Sequence, residues 1–171
     1  YSFPEFLQAN EVSYDSNTLA TTFGRAEVQR HFTNYFRFGG FPEGARLASK
    51  RDYINSVYQK IYLGDIASRN KIENQFSLRV LFRKLAESVK QPISFTRLTN
   101  IIASTGAKLS KPTLINYLEY SKDAFLVYPI KNIADNLTQR ETTPKYDFVD
   151  NGIISIRAMD VDTSLLENMV A

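Results

Sequence analysis

Between Phe76 and Ile130, apolar residues recur at helical spacing in three runs divided by Pro92 and Gly106, and a β-rich run follows. No other stretch restricts the fold as tightly. Leu78, Leu81, Phe82, Leu85 and Val89 fall on one helical stripe, with Arg79, Arg83, Lys84 and Glu87 away from it. Pro92 stops that helix, because a proline disfavours helical geometry in the residue before it. Ser94 then caps a short helix carrying Leu98, Ile101 and Ile102, and Gly106 closes it. Ser110 caps a third helix, in which Leu114, Tyr117, Leu118 and Ser121 share a face while Lys111, Thr113, Asn116 and Glu119 lie outside its centre. Two short helices joined across a glycine-containing turn make a helix-turn-helix. Ala124 to Tyr128, ended by Pro129, is expected as the first strand of a wing, and Lys145 to Val149 as the second.

The flanking residues extend this to a mainly α chain: a helical linker or lid, then a winged helix-turn-helix with a small β-hairpin wing. The expected divisions are residues 1–72, 73–150 and 151–171, the last being the start of a further module. The opening residues carry no evident helix cap, and residues 10–22 read as a polar surface loop. Both ends read as cuts within a longer protein. A helix is expected over 24–38, with Val28, Phe32, Tyr35 and Phe36 on one face and His31 beside it. Gly39 or Gly40 ends it and Pro42 opens the next turn. A second helix is expected over 49–63, with Gly64 interrupting it and Asp65 and Arg69 following at ion-pair spacing. Asp150, Asn151 and Gly152 read as a turn, and Thr163 or Ser164 as the cap of a terminal helix.

Several chemistries are excluded by residue type. The chain has no cysteine and one histidine, so thiolate and multi-histidine metal sites and thiol nucleophiles are ruled out, while a carboxylate site is not. No metal-ligand set and no catalytic residue is nominated. The phosphate-binding pattern GxxxxGK[ST] is missing from the sequence. No apolar run approaches the roughly 20 residues of a membrane span, and the expected location is the cytoplasm. Charge is graded: eight cations face seven anions over residues 1–70, nine face four over 71–130, and four face seven over 131–171. The central excess suits phosphate contact, and equally a solvated surface.

The phrases SFPEFL (2–7), GGFPE (39–43), DIASR (65–69), SKPTLINYLEYSKDAFLVYPI (110–130), PKYDFVDNG (144–152) and LLEN (165–168) occur in this order. Together they resemble a widespread prokaryotic family of AAA-type ATPases, over nearly the whole chain. The resemblance implies an N-terminal P-loop module before Tyr1, which would bring ATP and magnesium, a central winged helix, and a C-terminal restriction-endonuclease-like module. It places no ATPase residue here. Glu167 matches the acid that opens the nuclease-like module, and the later Asp and Glu-x-Lys that would complete a metal site are absent.

Three functions follow as expectations. In the first, this non-enzymatic region of a parent ATPase docks DNA or a partner through the winged helix. The third helix would then offer Lys111, Thr113 and Asn116 to base edges, with Lys108 on phosphate and Arg79, Arg83 and Lys84 as further backbone contacts. Glu119 and Pro112 count against it. In the second, the region is a lid and oligomer interface in a homo-oligomer, with Arg69 acting in trans on a neighbour's phosphate and no nucleic acid bound. The alternative for Arg69 is a surface pair with Asp65. Nuclease chemistry is the third and weakest, since one acid cannot assemble a two-metal site.

Overall fold

Capping side chains decide where most of the helices begin. The computed structural model describes residues 1–158 and 162–170. Glu5 accepts hydrogen bonds from the Ser2 amide (2.7 Å) and hydroxyl (2.9 Å) and so opens α1 (Phe3–Ala9), correcting the expectation of an uncapped start. The expected loop over 10–22 contains α2 (Ser16–Ala20), because Asp15 accepts the Thr18 amide at 2.7 Å. Thr21 likewise accepts from Gly24 and opens α3 (Thr22–Phe38). Gly39 ends α3 at φ 74°, where a side chain would be strained. A 3-10 turn over Glu43–Arg46 leads to α4 (Lys50–Gln59).

The helical run that α4 begins does not stop at Gly64. It passes directly into a π-wound stretch over Lys60–Ser68. Ile54, Tyr58, Tyr62 and Ile66 are all buried and recur every four residues. At about 3.6 residues per turn, an α-helix would rotate each of them about 40° past the last and carry the stripe off the core. The wider π winding keeps Ile66 in line. Its hydrogen bonds reach five residues back, as from the Arg69 amide to the Gly64 carbonyl at 3.1 Å. Gly64 lies within this winding, and an added Cβ there would meet nothing within 4 Å. Asp65 and Arg69 are both exposed, and among the described residues they form no ion pair.

The centre follows the expected plan. α5 (Gln75–Glu87), α6 (Phe95–Ser104) and α7 (Lys111–Asp123) are present, with Ser94 accepting the Arg97 amide and Ser110 the Thr113 amide, each at 3.2 Å. Gly106 takes φ 82° between α6 and α7. The stripe residues Leu78, Leu81, Phe82, Leu85 and Val89 are fully buried.

β1 (Val127–Ile130) starts three residues later than expected. The cause is a Schellman ending on α7: the Phe125 amide bonds to the Lys122 carbonyl and the Leu126 amide to the Ser121 carbonyl, both at 2.9 Å. Phe125 takes the position usually given to glycine, at φ 55°. Pro129 therefore lies inside β1 and does not end it. α8 (Leu137–Thr142) occupies the connection, and β2 (Lys145–Phe148) pairs antiparallel with β1, Val127 opposite Phe148 and Pro129 opposite Tyr146. Since the Val149 amide bonds to Leu126, alternation leaves Pro129 at a non-hydrogen-bonded position, where its missing N–H is harmless.

Asp150 to Gly152 form no turn. Asp150 caps α9 (Asn151–Ser155), accepting the Gly152 amide at 2.7 Å. The terminal helix α10 begins at Asp162 and runs to Val170, so Thr163 and Ser164 lie in its first turn and not at its cap. Asn168 of α10 pairs with the outer edge of β2, its amide oxygen accepting from the Phe148 amide (2.7 Å) and its Nδ2 donating to the Phe148 carbonyl (3.0 Å). One buried cluster joins Ile54 and Tyr58 of α4 to α5, α6, α7, both strands, Ile153 of α9 and Leu165 of α10. The molecule is thus mainly helical with a small two-stranded antiparallel sheet, and no helix among the described residues is long and apolar enough to cross a membrane.

Candidate functional site

The buried side of α7 anchors it to the core through Leu114, Tyr117, Leu118 and Ser121, which fixes what its other sides present. Lys108 and Lys111 are exposed at its start. The Lys108 carbonyl accepts from Asn74 (3.0 Å) and Ser77 (3.3 Å), so the turn before α7 is tied to the start of α5. The Lys111 Nζ lies 3.5 Å from the Thr96 hydroxyl. Thr113 shares its hydroxyl with the cap, 2.7 Å from Ser110 Oγ. Asn116 is exposed one turn on. The structure thus gathers Lys108, Lys111, Thr113 and Asn116 at one end of α7.

It does not extend them into one basic strip. Arg83 and Lys84 both approach Glu87, at 3.6 and 3.5 Å. Arg79 is exposed on α5 near the stacked rings of Tyr58 and Tyr62, which also feel Arg157. The Arg157 guanidinium lies 3.8 Å over the Tyr58 ring. Burial pushes the Tyr58 hydroxyl up to about 12, against the pull of Arg157. Farther along α7, Lys122 is held by Glu119 at 3.2 Å, and Glu119 and Asp123 face solvent.

A hollow of about 580 Å³ lies between the end of the π-wound stretch and the α7–β1 corner. Arg69 lines it with Asp65 and Asn70 on one side, and Tyr120, Phe125 and Tyr128 on the other. A second hollow of about 360 Å³ runs beside α7, with Thr113, Asn116 and Tyr120 facing the 70–74 segment. Sequence reasoning found Arg69, Thr113 and Asn116 but not Asn70, Tyr120, Phe125 or Tyr128. Of these, Phe125 alone carries a local signal, as an aromatic residue directly after a helix that has no glycine to end it.

Elsewhere, Lys145 sits between Glu167 (2.8 Å) and Asp147 (3.4 Å). Glu167 is thereby engaged in holding α10 to β2. Burial pushes the Asp147 carboxyl up, and Lys145 only partly offsets it. His31 lies 3.2 Å from the Arg30 guanidinium and edge-on to Phe6, and burial lowers its tendency to protonate. Among the described residues no group of three or more acidic, histidine or cysteine side chains is arranged to hold a metal.

Residues 29–164 match a family model described as a domain of unknown function, DUF8612. The chain belongs to that family. The DUF8612 chain is similar to the uncharacterized protein MJ1544 of Methanocaldococcus jannaschii, 26% identical over 136 residues, which cover 78% of this chain and 30% of the relative. It is also similar to an uncharacterized protein of Haemophilus influenzae, 28% identical over 155 residues, 89% of this chain and 36% of the relative. The chain therefore spans about a third of the length of these curated relatives. No solved structure matches it.

Proposed function

We propose that this DUF8612 chain is a non-catalytic docking module within a larger AAA-type ATPase, and that its winged-helix unit engages a macromolecular partner along α7. The observation that carries this is the position of α7: one side is fixed in a core shared with the elements before and after it, while Lys108, Lys111 and Asn116 stay exposed. A surface held on rigid elements is what specific docking requires. A protein partner fits this face better than duplex DNA. Glu119 and Asp123 on its exposed side would repel phosphate, and Arg83 and Lys84 already approach Glu87. ATP and magnesium would belong to the parent's P-loop module. A cytoplasmic location is part of the same proposal.

Binding of the intact chain to a labelled generic duplex, followed by fluorescence anisotropy at roughly 50 and 200 mM salt, tests the choice of partner. Little binding at micromolar protein is expected. Tight binding that falls steeply with salt, and is lost on replacing Lys108 and Lys111, would make DNA the partner.

A second reading is supported by Arg69, which is exposed and forms no ion pair among the described residues. In it, Arg69 reaches a nucleotide phosphate of an adjoining subunit, and the chain is an ATPase lid and oligomer interface. Turnover by the full-length protein carrying Arg69→Ala decides it: normal turnover removes the role.

A further inference from the structure

The two hollows beside α7 adjoin, sharing Asn70 and Tyr120 in their linings. They make one furrow from the Phe125 corner toward the start of α7, with the 69–74 segment as its opposite wall. From Tyr120 to Thr113 it follows α7 for about 10 Å, the length of about three extended residues.

Phe125 is the most informative part of it. A Schellman ending asks for positive φ, which glycine supplies without steric cost. This chain places a phenylalanine there at φ 55°, and leaves its ring exposed at 67% relative area. Leu126, next in sequence, makes the buried contact that such an ending needs, so the fold has no use for the Phe125 ring. Arg69, Asp65 and Asp123 share the same hollow, and none of them forms an ion pair among the described residues. Lys122, the remaining charge, is held by Glu119. At the Phe125 end the open charges are therefore one guanidinium and two carboxylates around an exposed ring, and the other hollow adds Lys71 and Glu73.

We infer that this furrow docks an extended, mixed-charge segment of a protein partner, with an apolar side chain against Phe125, a carboxylate on Arg69 and a basic side chain at Asp65 and Asp123. A nucleic-acid strand is disfavoured by the two carboxylates. An uncharged apolar peptide would leave the charges of both signs unanswered. The inference rests on the docking reading above and names its site.

The test uses a displayed library of random twelve-residue peptides selected on the intact chain. Phe125→Gly removes the ring and keeps the positive φ, so it preserves the fold, and Arg69→Ala removes an exposed charge. Enriched peptides should join an apolar residue to both an acidic and a basic one. They should bind each variant about tenfold or more weakly, as loss of an interface anchor predicts. Amide shifts in the parent should move at Asn70, Asn116 and Tyr120. Equal binding to parent and Phe125→Gly, or shifts confined to another surface, would overturn the inference. Failure to enrich any peptide also overturns it; the duplex measurement then separates the two claims. Salt-sensitive duplex binding leaves docking standing without the furrow, and no binding of either kind removes both.

Discussion

The Gly40 amide donates to the Asp150 carboxylate at 2.7 Å, joining residues 110 apart in the chain. The other carboxylate oxygen accepts the Gly152 amide, also at 2.7 Å. One side chain thus closes the loop after α3 onto the start of α9. Asp150→Ala leaves two backbone donors without their partner, and should lower unfolding free energy by about 1–3 kcal/mol. Gly39→Ala should lose at least as much, since its Cβ would run into the Asp150 carboxylate and its φ is positive. Urea unfolding of both variants measures this; parent-like midpoints would show that the clasp contributes nothing.

Asp147 makes stability depend on pH. Burial pushes its carboxyl above the usual range, Lys145 pulls it back, and Glu167 adds to the rise. For Lys145, burial works against the charge, and Glu167 and Asp147 outweigh it. Both pKa values rise, which favours the charged ammonium and disfavours the charged carboxylate; the ammonium lies closer to Glu167, 2.8 Å against 3.4 Å, leaving Asp147 the less compensated carboxylate. With its folded pKa raised, Asp147 binds its proton more tightly in the folded state. Its favourable contribution is complete below the unfolded value of about 3.9 and is lost as pH rises through the folded one. Asp147→Asn should therefore gain on the parent as pH rises from about 4 to neutrality. Asp150, also raised by burial, is present in both proteins and cancels. A difference in urea midpoint that stays constant with pH would contradict this.

How much of this is legible in the sequence depends on the range of the interaction. α5 can be read because its buried positions repeat at the α-helical period, and α6 and α7 because a serine stands before each and Gly106 between them. β1 is misread by three residues because Phe125 ends α7 where glycine would have announced it. The π winding leaves a trace in the four-residue spacing of Ile54, Tyr58, Tyr62 and Ile66, visible once that spacing is compared with the α period. Beyond Phe125, the furrow leaves none. Asn70 and Tyr120 meet only because the core brings the 69–74 segment beside α7, and no pattern local to either records it.

The Arg157 guanidinium, 3.8 Å over the buried Tyr58 ring, ties the residues after α9 to α4. Its Nη2 also approaches Asn55 Oδ1 at 3.4 Å. A partly desolvated cation over an aromatic face stabilises by about 0.5–2 kcal/mol, so Arg157→Ala should lose that much. Arg157→Lys should recover only part, because an ammonium cannot lie flat on the ring as a guanidinium does. If lysine restores parental stability in urea, charge alone accounts for the contact and the stacking geometry does not matter.

The π-wound stretch makes opposite demands on two adjacent residues. In an α-helix the residue seven after Tyr58 would return to its stripe, and that residue is Asp65; the π winding instead buries Ile66, eight after Tyr58, and leaves Asp65 in solvent. Ile66→Ala should then cost about 2–5 kcal/mol, as for a fully buried aliphatic side chain. Asp65→Ala should stay within about 0.5 kcal/mol, as for an exposed site without a partner. An α-wound stretch would instead bring position 65 close to the stripe and Ile66 to its edge, so that an apolar replacement at 65 would raise stability and Ile66→Ala would cost less. Thermal and urea unfolding of the two variants therefore bears on the winding, because the gap between the two substitutions narrows when the helical repeat shortens.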